Sequence, residues 1–192
     1  MKKILIAFIC IVFAHNAFAQ KDLLSFNEQN KYIYYQVVEQ PGLITDTLQD
    51  RALYFLKTAY PKNKIEKAQT SGNYTGPGKF LILSGALVKH VDGEINYTFY
   101  IECKDQKYRY WLTDFVFTPY KVDRYGNSIP QAGIDVPLEN SASKMDKTEL
   151  DKCLDQAGTF SKQFGDQLKV FMIKASALPK TEKKKVINTK DW

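Results

Sequence analysis

The chain has 192 residues, 44% hydrophobic and 25% charged, which is enough apolar material for one packed domain and too much for a disordered segment. Its formal net charge of +6 overstates the charge on the body. Two of those charges, Lys2 and Lys3, sit in a leader and a net three sit in a terminal tail. The single charge that remains is too little for a surface built to hold nucleic acid.

The first residues, MKKILIAFICIVFAHNAFAQ, have the three parts of a bacterial export signal. Lys2 and Lys3 form its positive start, residues 4–13 an apolar stretch, and Ala17-Phe18-Ala19 a small-residue cleavage site. Residues 1–19 therefore read as a cleaved signal peptide, with Gln20 the mature start. The apolar stretch is shorter than the ~20 residues of a spanning helix, and no later segment reaches that length. Cys10 lies inside this stretch rather than after the cleavage motif, which argues against lipid attachment. The expectation is an exported protein, periplasmic or extracellular, with no integral membrane span in the mature chain.

Residues 20–175 read as a single domain. Residues 31–40 (KYIYYQVVEQ) form a first strand ended by Pro41-Gly42. A helix follows, capped by Thr45 or Asp46, with Leu48, Ala52, Phe55, Leu56 and Ala59 on one face and Pro61 beyond its end. Residues 64–70 read as a strand and residues 71–78 (SGNYTGPG) as a turn-rich link. Residues 80–88 (FLILSGALV) have the nearly all-apolar content of a central strand. Asp92-Gly93 carries the signature of a hairpin turn. Residues 95–104 and 107–118 then form a second hairpin about Asp105-Gln106.

Counting out from Asp105-Gln106 sets a register. Lys104 faces Lys107, Cys103 faces Tyr108, Glu102 faces Arg109, Ile101 faces Tyr110, Tyr100 faces Trp111, and Phe99 faces Leu112. Opposite charges and bulky groups meet in pairs, each worth roughly 0.2–1 kcal/mol. In this phase Ile95, Tyr97, Phe99, Ile101, Cys103, Tyr108, Tyr110, Leu112 and Val116 face the core. Asp114 is a lone acid among them, placed to accept a hydrogen bond from Tyr97. Thr98, Tyr100, Glu102, Arg109, Trp111, Thr113, Phe115 and Phe117 occupy the other face, with Leu81, Leu83 and Leu87 continuing it. Residues 119–140 are a long irregular connection. A helix over 147–175 follows, with a stripe of Leu150, Leu154, Ala157, Phe160, Phe164, Leu168 and Phe171 laid across the sheet, loosened locally at Gly158 and Gly165. Residues 176–192 form a basic tail, most simply a solvated, flexible end.

The second sheet face holds too many large side chains to stand in water without cost. Three covers compete for it: the 119–140 connection folded back, a partner protein or second copy of the chain, and a small apolar ligand. Cys103 and Cys153 are the candidate disulfide pair, with two inert buried thiols as the alternative. The mature chain has one histidine, His90, and no HExxH, CxxC pair, P-loop or GxGxxG, so no catalytic constellation, metal site or cofactor is expected.

ALYFLKTAY at 52–60, GPGKF at 76–80 and above all YTFYIECKDQKYRYWLTDFVF at 97–117 resemble a bacterial domain family of unknown function with a TBP-like fold. The terminal KDW is similar too, and the likeness covers residues 31–117. Members of that family are exported proteins, mostly of Gram-negative bacteria. The resemblance implies an α+β fold: a curved antiparallel sheet of about five strands in the order β-α-β-β-β-β-α, with two helices on one face. It implies no catalytic residues, and it does not carry over DNA binding, because a fold does not dictate a function. The reading that follows is an exported, non-catalytic module. It binds a protein or cell-envelope component through Tyr100, Arg109, Trp111, Phe115 and Phe117 on the open sheet face. The alternatives are a helix-grip-like carrier of a small apolar ligand and a hydrolase centred on Asp114.

Overall fold

The computed structural model describes residues 23–67, 73–85 and 88–174, so the expected leader and tail lie outside the described residues. The chain runs β1 (Ser25–Phe26), β2 (Tyr32–Glu39), α1 (Thr45–Ala59), β3 (Glu66–Lys67), β4 (Asn73–Ser84), β5 (His90–Lys104) and β6 (Lys107–Val122). It continues through β7 (Ser128–Pro130), β8 (Val136–Pro137), a 3₁₀ helix (Leu138–Ser143) and α2 (Lys147–Ile173). The sheet is antiparallel in the order β1-β2-β6-β5-β4-β3, with β7 and β8 also paired to β6. Both helices pack on one face. Phe164 of α2 sits at the centre of that layer, 5.2 Å from the Phe55 ring of α1, 6.1 Å from Phe99 and 6.3 Å from Tyr110. Burying each such side chain stabilises the fold by ~1.5–3 kcal/mol.

The register counted from the β5–β6 turn holds from Lys104↔Lys107 to Phe99↔Leu112. It then breaks. The pairing skips between Asn96 and Thr98, and Asp114 takes a left-handed backbone with φ of 56°. This bulge inserts one residue and exchanges the two faces beyond it. Phe115 and Phe117 therefore turn inward and are buried, at 0% and 2% exposure, and leave the proposed patch. Val116 and Asp114 turn outward. Asp114 meets Lys31 in an ion pair instead of accepting from Tyr97.

The Asp92-Gly93 turn is also corrected. Both residues lie within β5, and the chain reverses between Ser84 and His90, where Gly85 has φ of 94°. Gly93 sits where the Phe117 ring crosses: a Cβ there would run into that ring and stand 2.6 Å from the Thr118 carbonyl. Residues 73–78 of the expected link are strand, for the same reason. Gly78 leaves room for the Tyr97 ring, and Gly76 for the Lys64 carbonyl, with the Phe99 ring 3.0 Å from an added Cβ. Gly165 does not loosen α2; it seats the Tyr110 ring, whose Cζ would lie 2.6 Å from an added Cβ.

The α1 cap comes from outside the helix. Asp105, in the β5–β6 turn, accepts from the Thr45 backbone N–H at 2.8 Å and from its hydroxyl at 2.7 Å. Those bonds, side chain first, hold the Asp105 carboxyl below the usual carboxylate range. The 119–140 connection does not fold over the open face. It lies along the edge of β6 as β7 and β8, where Val136 and Leu138 are buried and Glu139 accepts from the Tyr32 N–H at 3.0 Å.

Cys103 and Cys153 are both free and buried. Cys103 ends β5 at the turn, whereas Cys153 follows Lys152, which pairs with Asp92 at the opposite end of that strand. At ~3.3 Å per residue the two ends are roughly 35 Å apart, far beyond the ~7 Å limit for bridging Cα atoms. Burial pushes both thiols up to about 12.

Candidate functional site

The face of the sheet away from the helices carries an aromatic row built by cross-strand register. Tyr35 of β2 stands opposite Trp111 of β6, which stands opposite Tyr100 of β5. The Trp111 and Tyr100 rings are stacked, 4.7 Å apart and within 8° of parallel, and the Tyr35 ring is 6.3 Å from Trp111. Trp111 thus points away from the helices, as the turn register requires. In the next row Val37, Arg109 and Glu102 are neighbours. Arg109 donates to Glu102 Oε2 at 2.5 Å, and its guanidinium lies over the Trp111 ring at 5.5 Å. The hydrogen bond Arg109 donates to Glu102, followed by the one it donates to Tyr35, raises its pKa further.

Tyr100, Arg109 and Trp111 are therefore brought together as expected, while Phe115 and Phe117 lie on the other side of the sheet. Tyr35 and Val37, 45% and 53% exposed, complete the patch. Their place depends on β2 pairing with β6 across more than seventy residues of sequence, and no local pattern marks it. Hollows flank the row. One of about 660 Å³ runs between Trp111, Tyr35 and the β1 segment, and a smaller one of about 180 Å³ is bounded by Tyr35, Val37, Glu102, Lys104 and Arg109. Among the described residues no segment crosses this row. Leu81 and Leu83 extend the same face toward the far edge, 48% and 39% exposed, and Leu87 lies outside the described residues. The flat sides of the Trp111 ring are taken up by Tyr100 and Arg109, so the row presents ring edges and aliphatic groups to an incoming surface.

A second cluster joins the start of β5 to α2. The Asp92 carboxylate pairs with Lys152 and lies 3.1 Å from His90 Nε2, while Ser84 Oγ lies 2.8 Å from the same nitrogen. Burial pushes the Asp92 carboxyl up, but hydrogen bonds from Lys152 and Ser84 and the Lys152 charge hold it below the ordinary value. A nucleophile relay needs the hydroxyl on one ring nitrogen and the acid on the other. Here both meet Nε2, and the cluster acts as a tie between strand and helix. A third cluster, Lys31 with Asp114, borders a groove of about 600 Å³ that also touches Phe26, Val116 and Glu139. The Asp114 hydrogen bond, then its charge, raise the Lys31 pKa.

Residues 34–118 match the model of a family described as a domain of unknown function (DUF4468) with TBP-like fold. Two solved structures are similar over most of the chain. One is a TBP-like protein from Parabacteroides distasonis, with a TM-score of 0.61, 15% identity, and coverage of 79% of this chain and 97% of that one. The other is a DUF4468 family protein from Bacteroides ovatus, with a TM-score of 0.59, 16% identity, and coverage of 82% and 94%. No curated protein matches the chain. At these identities the likeness shows the fold.

Proposed function

Because residues 34–118 match the model of that family, whose description carries a TBP-like fold and no activity, we propose that this chain is an exported, non-catalytic binding module. Its contact surface is the row Tyr35–Trp111–Tyr100 with the Arg109–Glu102 pair beside it, and its partner is a protein or other cell-envelope component. The observation that carries this reading is an aromatic row on the helix-free face, uncovered among the described residues and bordered by the strongly exposed Val37. Large exposed apolar patches on a soluble domain mark interaction sites. Aromatic and arginine side chains are the types that dominate binding energy at interfaces.

A carrier reading has less support. It needs a ligand-sized space between helices and sheet, and that layer is filled by Phe55, Phe99, Tyr110 and Phe164.

The test places a photo-crosslinking residue at Val37 and expresses the protein in its own host, with and without Trp111→Ser and Tyr100→Ser. A discrete adduct that disappears in the double variant, with a thermal midpoint within about 4 °C of the parent, supports the surface. A midpoint loss of more than about 10 °C, or an adduct indifferent to both changes, overturns it.

A further inference from the structure

The two edges of the sheet differ in how they are protected. At the far edge β4 is guarded. β3 pairs with it at Tyr74 and Thr75, and Pro77 and Lys79 lie within it. The Gln156 side chain of α2 donates to the Leu83 carbonyl at 2.9 Å and accepts from the Leu83 N–H at 3.0 Å. Covered backbone, proline and lysine are the usual means of keeping an edge from pairing. At the near edge β1 meets β2 only through Phe26↔Tyr32 and Ser25↔Ile33, and Leu23 stands in a 3₁₀ turn. Among the described residues no strand lies outside Tyr35, Val37 and Glu39. The stretch YQVV at 35–38 holds no lysine, proline or bulge, and its Tyr35 and Val37 are exposed.

Hydrogen bonds give the phase of this edge. Toward β1, the Asn27 N–H donates to the Lys31 carbonyl at 3.0 Å. Toward the sheet, the Tyr32 N–H donates to Glu139 and the Tyr32 carbonyl accepts from the Thr113 hydroxyl, both at 3.0 Å. At the other end the Gln40 N–H donates to the Gln106 carbonyl at 2.7 Å, and the chain leaves the sheet. Successive residues of an antiparallel strand aim their N–H and C=O to opposite sides. Tyr35, Val37 and Glu39 therefore aim theirs outward. Ser25 holds Ile33, and the strand ends at Glu39, so Val37 is the midpoint of the open stretch.

We propose that this edge pairs with the same edge of a second copy, antiparallel, about a twofold axis at Val37. Val37 then faces Val37 of the second copy, and Tyr35 faces its Glu39. Each such pair exchanges two backbone bonds, about six in all, within the range of a specific interface. The alternatives fit less well. An axis at Gln36 sets Glu39 of one copy against Ile33 of the other, which Ser25 already occupies. An axis at Val38 leaves Tyr35 unpaired, and one at Glu39 sets two carboxylates against each other. An axis at Val37 puts an uncharged β-branched residue against itself and a carboxylate beside a phenol, so no like charges meet. The axis runs perpendicular to the sheet, which leaves both helix layers on one side and joins the two aromatic rows on the other. The stretch is much shorter than the ~20–30 residues a side of a standard interface. The pair is therefore weak, with a dissociation constant of about 1 μM or above.

The test uses protein exported from the complete gene, in sedimentation equilibrium over a range of concentrations. The expected result is reversible monomer–dimer association. Val37→Lys, which sets two ammonium groups against each other, is expected to weaken it at least about tenfold and to leave the thermal midpoint unchanged. Register is read by oxidation. Val37→Cys is expected to give a disulfide-linked dimer, because residues paired at the axis have Cα atoms about 5.5 Å apart. Tyr35→Cys is expected to give none, because the two copies of that residue stand about 14 Å apart along the strands, beyond the ~7 Å limit. A monomer at every concentration overturns the proposal and leaves the edge to another strand or to solvent. A dimer indifferent to Val37→Lys overturns it, as do disulfide dimers formed equally at 35 and 37. Loss of the dimer leaves the adduct test of Trp111→Ser and Tyr100→Ser unaffected.

Discussion

The two halves of β6 have nearly the same kind of sequence and opposite fates. From Lys107 to Thr113 the strand keeps the phase set by the Asp105-Gln106 turn, so Tyr108, Tyr110 and Leu112 enter the core and Arg109 and Trp111 do not. From Phe115 onward the aromatic residues that the same phase would send outward are buried. The difference is one residue, Asp114, whose left-handed φ absorbs a bulge. Alternation is thus a reliable guide only up to the first residue that breaks the pleat.

The sharpest way to break this comparison is to truncate one aromatic in each half. Phe115→Ala is expected to cost ~3–5 kcal/mol, a fall in thermal midpoint of roughly 6–20 °C for a domain of this size. Trp111→Ala, on the half-buried side, is expected to move the midpoint by only a few degrees. Equal losses in a calorimetric scan would mean that the two halves share a face. A smaller effect is expected from Gly93→Ala, which places a methyl against the Phe117 ring and the Thr118 carbonyl. Overpacking of this kind costs ~1–3 kcal/mol, and denaturant titration reads it. The smallest effect tests the bulge itself. Asp114→Gly is expected to be more stable than Asp114→Ala by about 1 kcal/mol, because only glycine takes the left-handed backbone freely. Equal midpoints for the two variants would remove the left-handed residue as the cause of the face exchange.

Much of the fold was legible because it is locally encoded. The stripes of α1 and α2 follow the helical period, the Asp105-Gln106 turn sets a register that pairs Glu102 with Arg109, and the indole of Trp111 follows from that phase. Three of the five named patch residues, Tyr100, Arg109 and Trp111, therefore came together. Phe115 and Phe117 were lost to a bulge that no composition rule marks. Asp92-Gly93 has the letters of a turn but serves as strand, because Gly93 makes room for a ring from a neighbouring strand. Tyr35 and Val37 were missed because their place depends on a pairing between the first long strand and the last.

The sequence by itself determined the class of the molecule, an antiparallel sheet under two amphipathic helices, because helical stripes and hairpin turns act over a few residues. It also determined that one sheet face would be aromatic. Tertiary structure alone decided which aromatics those are and which backbone edge, among the described residues, has no strand beside it. Both depend on strand order and on a single left-handed residue, and those are selected by packing among segments far apart in the chain.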